Sequence, residues 1–451
     1  MRFPSASTGL ASTGFILATI ALDALSFAII IPVVPDLVMQ IGHLPHSQTS
    51  LWLGIIFAVF AGMQFLCAPI AGGLSDRFGR RPVLLISMAA LGANSLLWIW
   101  VPNLYWLLAL RVVAGALAGN VSAATAYVAD VTPPEGRARA FGLVGAMFGL
   151  GFVAGPALGG WLGSYWIRLP FLVSAALIAC NVIYGLLVLP ESLPPERRRP
   201  FSWARANPIG SLALFNTNGW TRRLGFAWCC SWVAMGAQQS SFILSNQMRF
   251  GWNIAENGLM LAMGGITQAL VQGVLVSRIN SRYGARRTAI VGYLFAVAGY
   301  LTYAFAVRSW IMLLGILVLA VAALSGPSIQ SMLSIAAGPQ RQGETQGGLS
   351  SLQGLSMVAG PVTTGFVFEW ATRPGGPMHF PGAPFMLSAI VCVGGLLAVV
   401  SLPEPEAVRG IKPEAVTDIE PEAVTDIQPD AVRDTVPGQR PDKPEQALQP
   451  G

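Results

Sequence analysis

The sequence predicts an all-α membrane protein with twelve transmembrane helices in two pseudo-symmetric six-helix halves. Three observations predict it. Apolar residues are 53% of the 451 and charged residues 11%, against about a quarter charged in a soluble domain. Twelve apolar runs of spanning length follow one another. Two short patterns recur at one common spacing.

A bilayer-spanning helix needs about 20 mainly apolar residues. Such runs lie near 13–35, 50–71, 82–101, 105–129, 140–163 and 170–189, then near 223–247, 256–277, 288–307, 310–335, 346–369 and 383–402. The first run is too long for the core of a cleavable signal and lacks a small-residue cleavage site, so it reads as a retained span. A polar segment containing Arg197-Arg198-Arg199 separates the two sets.

The arginines provide an independent count. With the N-terminus in the cytoplasm, the inner loops hold 16 arginines and the outer loops four: Arg168, Arg249, Arg308 and Arg373. Positive charge accumulates on the cytoplasmic side of membrane proteins, and a miscounted span would scramble the pattern. Both termini are therefore expected in the cytoplasm. The net charge of +6 is spread over these short loops, which argues against nucleic acid as a partner and for a lipid bilayer.

Arg77-Phe-Gly79-Arg80-Arg81 recurs as Arg282-Tyr-Gly284-Ala-Arg286, and Gly155-Pro156 as Gly360-Pro361, both 205 residues later. Duplicated halves explain a shared offset. The expected division is 1–189 for the first half, 190–222 for a cytoplasmic central loop, 223–403 for the second half and 404–451 for a tail. The tail carries octads starting at Pro405, Pro413, Pro421 and Pro429, and its proline-rich, acidic composition predicts disorder.

An ionisable group inside a span costs about 2.5–3.5 kcal/mol on insertion scales, so each is a functional candidate. Asp23 lies in the first run and Arg111 in the fourth; every other charge reads as a loop, span-end or tail residue. Desolvation and a nearby cation act on a carboxylate in opposite senses, so alternating water access lets Asp23 load and release a proton. Arg111 keeps its charge and is expected to set the state of a neighbouring acid or to hold a substrate. Structural pairing within the bundle is the plainer reading of both.

Gly72, Asp76, Arg77, Gly79, Arg80 and Arg81 crowd the loop after the second run, with Asp130 the nearest plausible acid for the arginines. A breakable ion-pair cluster there would serve as a cytoplasmic gate. Gly151, Gly155, Pro156, Gly159 and Gly160 give the fifth run either a hinge or a tight, leak-proof contact. The five cysteines, Cys67, Cys180, Cys229, Cys230 and Cys392, sit in apolar runs and read as small buried side chains. His43, His46 and His379 fall in outer loops, no metal site or cofactor is expected, and motifs of soluble enzymes are absent.

The Gly72-to-Arg81 loop resembles the signature of the major facilitator superfamily, and Gly151-to-Gly160 resembles the motif of its proton-driven exporters. Over residues 15–400 the chain is similar to tetracycline efflux proteins, in Leu22-Asp23-Ala24, Pro32-Val-Val-Pro35, Gln64, Ser75-to-Leu85, Arg111, Phe148-to-Gly151 with Gly155-Pro156, Arg249-to-Asn253 and Gln342-Gly343. The resemblance implies coupling at Asp23 and Arg111, a cytoplasmic gate at Asp76, Arg80 and Asp130, and Gln64 in a central cavity. It also implies a bacterial inner membrane. Those exporters carry further carboxylates in the third and ninth spans and a histidine in the eighth; the corresponding positions here are Asn94, about Val297, and Thr267.

The expectation is a proton-coupled exporter of a small drug-like molecule, tetracycline first among candidates, working by alternating access as a monomer. Its cavity would be lined by Asp23, Gln64, Asn94 and Asn120, with Gln238, Gln239, Gln268 and Gln272 from the second half. Transport of an endogenous metabolite, or a membrane sensor signalling through the tail, are the alternatives.

Overall fold

The computed structural model describes residues 6–133, 136–201, 215, 219–337, 342–376 and 378–402. The expected tail, and residues 202–214 and 216–218 of the expected central loop, lie outside the described residues. Among those described, every regular element is helical. The first half contains α1 (Ala6–Ala28), α2 (Val34–Gly42), α3 (His46–Phe78), α4 (Arg80–Leu97), α5 (Leu104–Leu117), α6 (Asn120–Val131), α7 (Arg137–Tyr165) and α8 (Leu169–Val188). The second contains α9 (Gly219–Ser240), α10 (Phe242–Phe250), α11 (Ile254–Leu270), α12 (Val276–Tyr283), α13 (Ala285–Phe305), α14 (Ser309–Val321), α15 (Ser325–Ala337), α16 (Gln342–Thr372) and α17 (Ala383–Val400). Both halves belong to one compact unit ending at Leu402.

The first, fourth, seventh and tenth spans are broken, as α1/α2, α5/α6, α9/α10 and α14/α15. Local chemistry sets two of the breaks. Pro32 and Pro35 lack the backbone donor that a continuous helix requires. At Ala118–Gly119 the chain departs from helix so that Gly119 nests against Ala71 and Ser87. The break at Ala322–Leu324 falls 205 residues after Leu117–Gly119, so the duplication reaches the helix interruptions. α7 runs unbroken through Pro156.

The glycines of α7 bring the backbones together. On one side of α7, Gly151, Gly155 and Gly159 lie against Ala24, Ala28 and Ile29 of the first span. On another, Gly160 meets Ile254, Ala255 and Gly258 of α11, and Gly258 meets the Pro156 carbonyl. The equivalent crossing joins α3 to α16, where Gly365 meets Ser50 and Leu51 and Gly54 meets the Pro361 carbonyl. Gly160 and Gly365 are 205 residues apart, and Gly54 and Gly258 are 204 apart. Two crossings of related geometry therefore join the halves.

The α3–α4 turn repeats as well. Gly79 and Gly284 adopt nearly the same backbone, with φ 106°, ψ 159° and φ 79°, ψ 156°, a left-handed region open to glycine. Arg81 then donates to the Leu186 carbonyl at the end of α8, and Arg286 to the Val400 carbonyl at the end of α17.

Among the described residues, ten helical segments are long and apolar enough to cross a membrane. The other two expected spans are α9–α10 and α16, both present as helices, so the arrangement is consistent with twelve. Their polarity comes from Gln238, Gln239, Ser240, Ser356 and Thr364 among others, and both helices pack within the bundle rather than alone. The first span extends past the expected 35 to Gly42 and so takes in Asp36. Of the cysteines only Cys230 and Cys392 are buried; Cys180 is exposed, because its side of α8 faces outward.

Gly142, Gly145 and Gly149 of α7 have open space around them, in contrast to Gly151–Gly163. The two crossings thus lie in the His43-end portions of their helices. Gly54→Val and Gly258→Val should each lower thermal stability in detergent by about 1–3 kcal/mol through overpacking, while Gly145→Val and Gly149→Val leave it nearly unchanged; melting curves of the purified variants check this.

Candidate functional site

Asp23 is oriented by its neighbour. Ala24 presses on Gly151 of α7, and the next position round the helix turns Asp23 toward α6. Asn120 is the first residue of α6, placed there by the Ala118–Gly119 break, and is 5% exposed. Its Nδ2 donates to Asp23 Oδ2 at 2.5 Å. Among the described residues no cation pairs with this carboxylate.

Among the described residues Arg111 forms no ion pair with Asp23. It is 4% exposed, with its guanidinium 4.4 Å from the ring centre of Trp98, 5.6 Å from Phe60 and 5.9 Å from Phe57. Its Nε is buried without a hydrogen-bond partner. The expected acid neighbour is replaced by an aromatic cage, because α5 packs its Arg111 face on α3 and α4 rather than on α1. Each ring contributes about 0.5–2 kcal/mol of cation–π attraction. Phe60 continues as an aromatic chain through Phe27, 6.5 Å away, to Phe152.

At the Asp76 end, Arg80 pairs with Asp76 at 2.5 Å and with Asp130 at 3.1 Å. Ser192 also donates to Asp130. Glu191 accepts from the backbone amides of Arg80 and Arg81 at 2.8 and 3.3 Å, an anion at the positive end of α4. The Arg77 guanidinium lies 5.1 Å from the Phe78 ring centre, and Gly72 borders open space. All of these partners belong to the first half or the segment following it. At the equivalent turn of the second half the 205-residue offset puts Ser281 in the place of Asp76, and the neighbouring Asn280 accepts from Ser328.

The expected cavity residues are unevenly placed. Gln64, Asn94, Gln238 and Gln239 are partly buried; Asn94 Oδ1 is buried without a partner, and Gln268 and Gln272 are exposed. Sequence reasoning missed the polar seam between the halves. Gln247 Nε2 donates to both Asp36 oxygens at 3.0 Å, Ser50 bonds Ser241 and the Ser240 carbonyl, and Ser240 bonds Thr364. The acid at Asp36 beside Pro35 was a signal, obscured by the end of the apolar run. Glu191, the first acid after α8, was another. Arg249 is a staple, bonded to the carbonyls of Tyr303, Ala304 and Ala306 at the end of α13, and Asn253 and Glu256 form a reciprocal cap on α11.

The two halves of the bundle meet through small residues and hydroxyls, with an amide-held carboxylate inside one of them. The protein is a membrane transporter. It belongs to the major facilitator superfamily, whose description matches residues 16–279 and 233–436. It is 37% identical to the class C tetracycline resistance protein of Escherichia coli over 77% of this chain and 87% of that one. With the class G tetracycline resistance protein of Vibrio anguillarum the identity is 34%, over 80% and 90%. The crystal structure of the human organic anion transporter MFSD10 (TETRAN) shares the fold, with TM-score 0.66 at 24% identity over 88% of this chain and 100% of that one.

Asn120→Leu should destabilise the protein by about 1–3 kcal/mol at pH 8, because a buried carboxylate loses its donor. The loss should be smaller at pH 5, where the carboxyl is nearer protonation, and melting temperatures at the two pH values report it.

Proposed function

We propose that this transporter is a proton-coupled exporter of a small amphipathic, drug-like compound, with tetracycline the leading candidate. The observation that carries this reading is Asp23, a carboxylate inside a span, held by Asn120 and paired with no cation among the described residues. Such a group can exchange a proton without first breaking an ion pair. The tetracycline resistance proteins among its relatives support the substrate class.

In this reading the Asp76 end is cytoplasmic and the His43 turn is outside, which the arginine bias supports. Drug enters between the halves from the cytoplasm, and rocking about the two glycine crossings exposes it outward. A proton from outside displaces it by neutralising Asp23. Arg111 holds a permanent charge near the aromatic chain Phe60–Phe27–Phe152, where the flat part of a drug stacks. Gln64, Asn94, Asn120, Gln238 and Gln239 supply hydrogen bonds, and Gln268 and Gln272 line the cytoplasmic mouth. The Asp76–Arg80–Asp130 cluster is a gate that holds the first half ready to meet the second when the cytoplasmic side closes.

In inverted membrane vesicles, wild-type protein should take up labelled tetracycline when a pH gradient is imposed. Asp23→Asn should lose at least about 90% of that flux, in keeping with loss of a coupling group, at unchanged protein level. Full flux in the variant would remove Asp23 from coupling. No uptake by well-folded wild type would remove tetracycline and leave other lipophilic compounds.

A further inference from the structure

We propose that Asp36 is a second proton-binding carboxylate, set on the seam between the halves, whose protonated form pairs with Gln247 and fastens the His43 end shut. The inference rests on the alternating-access reading, but on neither the identity of the drug nor the role of Asp23.

Asp36 lies in the first turn of α2, among the buried residues Val34, Pro35, Leu37 and Val38. Its carboxylate is partly buried and accepts from Gln247 of α10 in the other half, with both oxygens 3.0 Å from the same Nε2. Gln247 Oε1, on the same amide, is buried and has no donor. A carboxylate has no hydrogen to give; a carboxylic acid has one. A proton on Asp36 supplies the missing donor, and a small turn of the amide closes a ring of two hydrogen bonds. In that ring Asp36 O–H donates to Oε1 while Nε2–H donates to the other Asp36 oxygen. Proton binding therefore adds one bond across the seam and removes an orphaned buried acceptor.

The groups around this pair leave Asp36 free to respond. On its own helix, His43 forms the C-terminal cap of α2 through its backbone. α3 brings His46, and α5 brings Tyr105 and the caged Arg111. α10 brings Arg249, bonded to three carbonyls, and α11 brings Glu256, bonded to the Asn253 amide. α7 and its following turn bring Tyr165 and Arg168, the latter bonded to the Ile99 carbonyl. Among the described residues none forms an ion pair with Asp36. The neighbouring seam bonds of Ser50, Ser240, Ser241 and Thr364 join hydroxyls and carbonyls, which do not titrate.

The test is the distance between spin labels on Gln48 and Arg373, exposed positions on either half at the His43 end, measured by pulsed electron resonance in nanodiscs at pH 5 and pH 8. In otherwise unaltered protein, the closed-to-open ratio should rise roughly fivefold at pH 5, the worth of about one net hydrogen bond. Asp36→Asn keeps a neutral donor and should hold the seam closed at both pH values. Gln247→Leu leaves the acid without its partner and should show no pH response. In Asp23→Asn the Asp36-dependent shift should persist, which separates this inference from the coupling role of Asp23. A pH-independent ratio in the parent, or the parental response retained in Asp36→Asn or Gln247→Leu, overturns it.

Discussion

Close backbone approach at two helix crossings is the constraint on which the rest of the structure depends. Inside a bilayer the hydrophobic effect does not drive helices together, so packing and local hydrogen bonds must. The α3–α16 and α7–α11 crossings meet this need with Gly54, Gly365, Gly160 and Gly258 set against opposing backbone. Their equivalence under the duplication gives the two halves matched bearing surfaces. A rigid-body rocking motion needs such surfaces, because a crossing without large side chains can roll with little repacking. The helix breaks lie elsewhere, in the first, fourth, seventh and tenth spans, where they turn functional side chains such as Asn120 inward.

Charge is rationed inside this bundle, and each charged group has its own solution. Asp23 is held by one amide, Arg111 by three aromatic rings, and Asp36 by an amide from the opposite half. None uses a counter-ion among the described residues, whereas at the Asp76 end Arg80 engages two acids together. Full ion pairs thus occupy the wetter end and neutral partners the interior. A buried salt bridge is slow to part because breaking it strands two charges, and an amide partner spares a buried carboxylate that cost.

Much of the fold was legible because membranes impose a simple rule on sequence. Apolar runs of spanning length and the arginine asymmetry gave the spans, and Gly79/Gly284 with Gly155-Pro156/Gly360-Pro361 gave the duplication. The offset also related Gly160 to Gly365, but lone glycines among 50 carry no pattern until backbone packing selects them. The α9–α10 and α16 helices were found despite their polarity, since their polar residues fall between apolar stretches. Asp23 was legible as an acid in an apolar run, and Asp130 as a partner for Arg80. Arg111 was legible as an intramembrane charge, yet its surroundings were not: Trp98, Phe60 and Phe57 come from two other helices. Asp36 was hidden because the apolar run was ended one residue too early, and its partner Gln247 is 211 residues away.

The central claim is that the halves must part at the His43 seam during each cycle, and a reversible lock tests it most directly. Ser50 and Ser241 face one another with their Oγ atoms 2.9 Å apart, close enough for paired cysteines to form a disulfide of about 2.05 Å with a small adjustment. In a background lacking the five native cysteines, Ser50→Cys with Ser241→Cys should transport when reduced, stop when oxidised, and recover on adding reductant. Undiminished transport by the fully oxidised protein would contradict the account, because solute would then cross without the seam opening.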